Sequence, residues 1–202
     1  MAAKYTIAYF LEDFGHEAII PPLVKRLIRE AGKPASLFAH LVLNARGGRS
    51  ISSYQKFLDE AKRKKHLCAD LLIVGSDGNC KGFAVRRDDI KAVAANPPYS
   101  TVVTAVPDPH VERWYLLDPS ALSTVAGITK MPPLPAHKCE KGYYKRLLRS
   151  AFDHTPIVPP LGGTEYGALV ADQMNLYLAS KADPGFGEFI NGVKSWLKQL
   201  EE

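Results

Sequence analysis

Long apolar runs are missing from this chain. Nothing in its 202 residues approaches the roughly 18 apolar residues of a membrane span, so no membrane partner is expected. The opening stretch MAAKYTIAYFLEDF lacks the charged n-region and small-residue cleavage site of a secretory signal, and none is expected. Cysteine is scarce. Cys68, Cys80 and Cys139 are odd in number and far apart, which suits a reducing cytoplasm and argues against a disulfide framework. No internal repeat and no low-complexity tract appears, which excludes a solenoid and a disordered chain. Charge is only mildly unbalanced, at a net +5 and a pI near 9.0. That balance permits an acidic partner such as nucleic acid without establishing one.

What is present is the composition of a soluble globular protein, long enough for one domain or one domain with a C-terminal appendage. The stretch from Lys4 to Gly32 organises it. Tyr5 to Leu11 is a short apolar run with aromatic and β-branched members, which predicts a buried strand. The acidic turn Glu12-Asp13-Phe14-Gly15-His16-Glu17 follows. Ile19, Ile20, Leu23, Val24, Leu27 and Ile28 then recur at helical spacing up to Gly32. A strand delivering a carboxylate to the mouth of a helix is the opening unit of an open α/β domain, in which ligands sit beyond the carboxyl ends of the strands.

Further strands are predicted at Ser36 to Leu43, Asp70 to Gly75 and Ser100 to Val106, the third apolar throughout as a central strand should be. Helices are predicted from about Ser53 to Lys65, Phe83 to Ala95 and Val111 to Leu117. This alternation predicts a parallel or mostly parallel four-stranded sheet with helices on both faces over residues 1–125. Residues 126–202 read as a helical extension packed on that core. Its helices are expected near Lys141 to Phe152, Glu165 to Ser180 and Phe186 to Leu200, the last docked by Trp196, Leu197 and Leu200.

Three strand ends carry acids: Glu12 with Glu17, Asp77 beside Asn79, and Glu112 beside His110. Mg²⁺ takes one or two carboxylates plus water and substrate phosphate, so carboxylates converging on one sheet edge meet its needs. Acids at helix starts and Asp-Gly or Gly-Asn turns are equally ordinary devices of structure. Spacing leaves both readings open. Basic clusters offer phosphate contacts at Lys62, Arg63, Lys64 and Lys65, at Arg86 and Arg87, and at Lys145, Arg146 and Arg149 among tyrosines. The first cluster also suits a helix C-terminus. The last also suits a solvated helix face.

The turn L-E-D-F-G-H-E, the strand end I-V-G-S-D-G-N-C and the segment A-V-P-D-P-H-V-E-R-W-Y-L-L-D resemble the Toprim-like domain-of-unknown-function 4276 family. That family shows a V-E-G type turn, a D-x-D-G motif often followed by Cys, and an E-x-E-x-W-L-L-x-D motif. The Gly47-Gly48 turn and the segment P-G-F-G-E-F-I also fit, so the likeness spans nearly the whole chain. It implies a Toprim-like fold and an Mg²⁺- or Mn²⁺-dependent nuclease acting on nucleic-acid phosphodiesters, DNA above all. It also implies a role in phage defence with an ATPase partner.

In that likeness Glu12 matches the Toprim glutamate, Asp77 the second aspartate of D-x-D, and Glu112 the glutamate before Trp114. Gly75 stands where the first aspartate is expected, and His110 replaces the first glutamate. Asn79, Asp108 and His110 are the candidates to rebuild the ligand set. In a second register Asp77-Gly78-Asn79 is the motif. The departures open an alternative, a catalytically degenerate binding module for nucleic acid or a partner enzyme. His137-Lys138-Cys139 lacks the second pair that zinc needs. Leu161 to Gly167 has the glycines of a phosphate loop but no lysine, and Thr164 is expected to cap the helix after it.

Overall fold

The computed structural model describes residues 4–43, 51–64, 69–93, 99–127, 131, 134, 136–153, 155 and 158–200. Strands β1 (Tyr5–Leu11), β2 (Phe38–Val42), β3 (Leu71–Gly75) and β4 (Thr101–Ala105) form one sheet in the order β2-β1-β3-β4. Every pairing is parallel, as the alternation of strands and helices requires. The chain leaves β1 towards one edge and returns to β3 on its other side, so the β1/β3 exits form the switch point of the sheet.

Helix α1 (Phe14–Glu30) covers one face and α2 (Ile51–Arg63) with α3 (Phe83–Val93) the other. Strand residues sort by parity, because successive side chains point to opposite faces. Ile7, Tyr9, Leu11, Leu71 and Ile73 join the α1 side, whereas Ala8, Phe10, Leu72 and Val74 join Tyr54, Leu58 and Ile90. β3 is buried throughout, as its sequence predicts.

The chain after β4 completes the α1 face. It contains α4 (Glu112–Tyr115), α5 (Pro119–Ala126), α6 (Tyr143–Ser150), α7 (Gly167–Gln173), α8 (Leu176–Ala182) and α9 (Pro184–Gln199). Trp196 and Leu197 are buried as expected, Trp196 meeting the rings of Tyr5 and Phe38. A second anchor lies at the other end of α9, where Trp114 packs against Phe186 and Phe189 at 5.1 and 5.7 Å between ring centroids. Among the described residues no helix is long and apolar enough to cross a membrane.

Several boundaries differ from the sequence reading. The second strand starts late because Ala35–Leu37 forms a 3-10 turn. α4 is a single turn, and α5 restarts after Asp118, whose carboxylate caps Ser120 and Ala121. The long helix expected from Glu165 to Ser180 is broken at Met174-Asn175, where the Asn175 side chain caps α8 through Leu178. Thr164 is no cap: its hydroxyl donates to Leu161 O, and the Glu165 carboxylate instead accepts from Leu161 N and Gly163 N. The Gly47-Gly48 turn lies outside the described residues.

Candidate functional site at the sheet's switch point

The β1 exit and the β3 exit are fastened by one side chain. Glu12 N donates to Gly75 O at 2.9 Å, extending the β1–β3 pairing by one residue. Glu12 Oε2 then accepts from Ser76 Oγ at 2.9 Å and from Asp77 N at 2.8 Å. Two donors on one carboxylate oxygen hold Glu12 half-buried across the switch point.

Asp77, also buried, turns its carboxylate the other way. Oδ1 accepts from Val111 N at 2.9 Å and lies 3.4 Å from His16 Nε2, and Oδ2 meets His110 Nδ1 at 3.1 Å. His16 is fully buried at the start of α1, with Nδ1 at 2.8 Å from the capping carboxylate of Asp13. Burial alone would pull the His16 imidazole down. The Asp13 hydrogen bond and the charges of Asp77, Asp13 and Glu12 carry it above its ordinary pKa instead. The hydrogen bond to Asp77 likewise raises His110 against partial burial, helped by the charges of Asp77, Glu112 and Glu12. Burial raises the Glu112 carboxyl, with Asp77 and Asp13 adding repulsion. Glu12, Asp13, His16, Asp77, His110 and Glu112 therefore form one interacting cluster.

Beside it, the loop after β3 is laced to the loop after β4. Gly78 N donates to Pro107 O and Asn79 N to Pro109 O. A side chain at Gly78 would place its Cβ 2.5 Å from Asp108 Oδ1, so only glycine allows this approach. Asp108 Oδ1 accepts from Cys80 N, and Oδ2 meets His137 Nε2 at 3.1 Å. Asn79 and Cys80 both adopt left-handed backbone, and Asn79 Nδ2 points to Asp77 O at 3.3 Å. Cys80 and Cys139 form a disulfide, which corrects the expectation drawn from cysteine count and spacing. The pair lies 59 residues apart in sequence, and only the meeting of two loops beside Asp108 brings it together.

A groove of about 620 Å³ opens on the α1 side of the cluster. Asp13 and Glu112 line it together with Lys145, Arg146 and Arg149 from the exposed face of α6, and with Phe14 and Leu161. The buried Tyr115 hydroxyl lies 2.7 Å from Gly15 O and 3.0 Å from Thr164 O, its single proton shared between the two carbonyls.

Glu12, Asp77, Glu112 and His110 thus share the switch point, and Asn79 stands next to it with its amide turned to a backbone carbonyl. Of the basic candidates, only Lys145, Arg146 and Arg149 face this groove. Arg86 buttresses the site from behind, Nε donating to Asp77 O at 3.0 Å. Arg87 is tied to Asp88 and to Glu188 of α9. Lys62, Arg63 and Lys64 sit at the end of α2, which leads into β3 and so lies at the opposite edge of the sheet. There Lys64 pairs with Glu60 and Arg63 donates to Asp59 O. Lys65 lies outside the described residues. Glu17 is half-buried in the first turn of α1.

Sequence reasoning missed His16, Ser76 and Phe14. His16 had a signal, since it lies three residues after a capping aspartate, the place where a side chain can reach back to the cap. Ser76 and Phe14 had none, because their roles depend on elements distant in sequence.

Fold and site together define an open parallel α/β protein with an acid–imidazole cluster at its switch point and a charged groove alongside. No family model, curated protein or solved structure matches this chain.

Proposed function

We propose that this chain is a Toprim-like, divalent-cation-dependent phosphodiesterase acting on nucleic acid. The observation that carries the reading is the groove, whose lining combines the carboxylates of Asp13 and Glu112 with three cationic side chains. A phosphodiester needs both: cations to hold its oxygens, and acidic groups to hold a metal and take a proton.

Half-buried Glu12 and Glu112 are the oxygen donors we assign to a hard cation, since Mg²⁺ requires only one or two carboxylates from protein. Glu112 lines the groove and Glu12 a separate small cavity with Gly75 and Ser76, and among the described residues no three His, Cys, Asp or Glu side chains gather to hold a metal ion. When bound, that cation supplies charge neutralisation to the phosphoryl oxygens. The chain's own residues do the rest. Lys145, Arg146 and Arg149 hold the backbone. Glu12, anchored through Oε2 by Ser76 and Asp77, keeps its second oxygen for accepting a proton from water. Asp77, with both oxygens engaged, orients His110. By the family resemblance, we place the chain on DNA in phage defence beside an ATPase partner.

The test is Mn²⁺ calorimetry on the wild type, Glu12→Gln, Glu112→Gln and Asp77→Asn, paired with cleavage assays on DNA and RNA. Both glutamine variants are expected to weaken Mn²⁺ binding at least tenfold and abolish cleavage. Unchanged metal affinity, with no substrate cut in Mn²⁺, refutes the reading. Metal binding without cleavage directs the search to the ATPase partner.

Two observations favour a second reading, a nucleic-acid-binding module without catalysis. The space for a side chain at Gly75 is already filled by Leu11 and Ile20, and His110 and Val111 engage the Asp77 carboxylate. Such a module needs no cation and survives Glu12→Gln. Neutralising Lys145, Arg146 and Arg149 together should flatten the salt dependence of its binding.

A further inference from the structure

We propose that the groove takes single-stranded rather than duplex nucleic acid, with backbone phosphates on Lys145 and Arg149 and an unpaired base stacked on Phe14. This rests on the reading of the groove as a nucleic-acid site. It adds the form of the substrate.

Charge alone does not account for the groove's surface. Phe14, the first residue of α1, is 48 % exposed between Asp13 and Gly15. Leu161 is 51 % exposed and lines the groove with Pro159 and Pro160. Scattered exposed apolar residues need no explanation. Here an aromatic ring and an apolar wall share a groove with a cationic helix face. A duplex keeps its bases stacked inward and offers that ring nothing, whereas a single strand presents π-faces and phosphates together.

The two sets of contacts are held in fixed relation. Asp13 caps the helix that carries Phe14, and the Tyr115 hydroxyl joins Gly15 O to Thr164 O beneath it, fixing the start of α1 against the Leu161 loop. On α6, Tyr144 and Leu148 are buried, which turns Lys145 and Arg149 outward. Four residues apart, Lys145 and Arg149 have Cβ atoms about 5–6 Å from each other on one face, so both side chains can serve one nucleic-acid backbone. Among the described residues neither has an ion-pair partner, whereas Arg146 is paired with Glu140. The groove volume falls among those of sites that enclose nucleotide-sized ligands, about 300–1,000 Å³.

Fluorescence anisotropy with labelled oligo-dT, oligo-U and a duplex of equal length tests this, using the wild type, Phe14→Ala, Phe14→Trp and the double variant Lys145→Gln/Arg149→Gln. Melting temperatures certify that each variant is folded. Either single strand should bind more tightly than the duplex. Phe14→Ala should weaken single-strand binding about five- to a hundredfold, with the salt slope unchanged, and Phe14→Trp should retain it. The double variant should reduce the single-strand salt slope by about 1.4. Equal affinity for duplex and single strand, or no effect of Phe14→Ala, overturns the single-strand proposal and leaves the groove a nucleic-acid site. An unchanged salt slope in the double variant on every ligand removes the underlying reading as well.

Discussion

Introducing an aspartate at Gly75 should damage the protein instead of creating a metal site. Gly75 is a regular β3 residue, paired with Leu11 on one side and Ala105 on the other. A Cβ there would stand 2.7 Å from Leu11 Cδ2, 2.9 Å from Ile20 Cδ1 and 3.3 Å from His16 Cδ2. All three neighbours are core residues, at most 3 % exposed. The Leu and Ile contacts involve side-chain ends, so some repacking is open to them, and overpacking of this kind costs about 1–3 kcal/mol. Gly75→Ala should therefore lose that much in urea unfolding at neutral pH, with an unchanged m-value. Gly75→Asp adds a carboxylate beside the cluster of Glu12, Asp13 and Asp77, and a poorly compensated buried charge costs several kcal/mol more. It should be the less stable of the two and gain no Mn²⁺ affinity. Gly75→Ala within about 0.5 kcal/mol of wild type would show that Leu11 and Ile20 yield freely, since substitutions away from tight packing fall in that range. Tighter Mn²⁺ binding by Gly75→Asp would show that an aspartate is accommodated there as a ligand. Either result refutes the reasoning.

Glu12→Ala should cost about 1–3 kcal/mol by stranding Ser76 Oγ and Asp77 N, whereas Glu12→Gln, whose amide oxygen still accepts, should cost less; thermal unfolding separates the two. The folded-state pKa values of His16, His110 and Glu112 are all raised, so each contributes stability that is full below its unfolded pKa and lost as pH rises through its folded value. The melting temperature should accordingly fall above about pH 6.5, the ordinary histidine pKa, and His16→Asn should flatten that decline; a profile unchanged by the substitution refutes the assignment. Alkylation of the denatured, unreduced protein should modify one cysteine of the three, and reduction should lower stability by up to about 4 kcal/mol, given the 59-residue separation that the disulfide spans.

Strand positions and their parallel order were legible because each strand buries side chains by local pattern, and four apolar runs separated by helices leave little choice of topology. The last helix was legible for the same reason, through its buried tryptophan and leucine. Where local pattern is interrupted by a polar cap, reading failed. Asn175 splits what looks like one helix, because a side chain that caps a backbone N–H is indistinguishable in composition from one exposed on a helix face.

The carboxylates Glu12, Asp77 and Glu112 could be placed at one sheet edge from sequence alone, since in a parallel sheet every strand exit lies on the same side. What each carboxylate does there was decided only by tertiary structure. Glu12 bonds across to β3, Asp77 is met by His110 from a loop 33 residues away, and Gly75 is small because Leu11 and Ile20 fill its space. The basic residues were separated in the same way. Lys62 to Lys64 and Lys145 to Arg149 look alike in composition, yet α2 runs back to the far edge of the sheet, whereas α6 returns to the groove. Local sequence determines which side chains an element exposes. Which of those exposed faces meet is set by long-range packing, and here that packing puts acids, cations and an aromatic ring around one cleft.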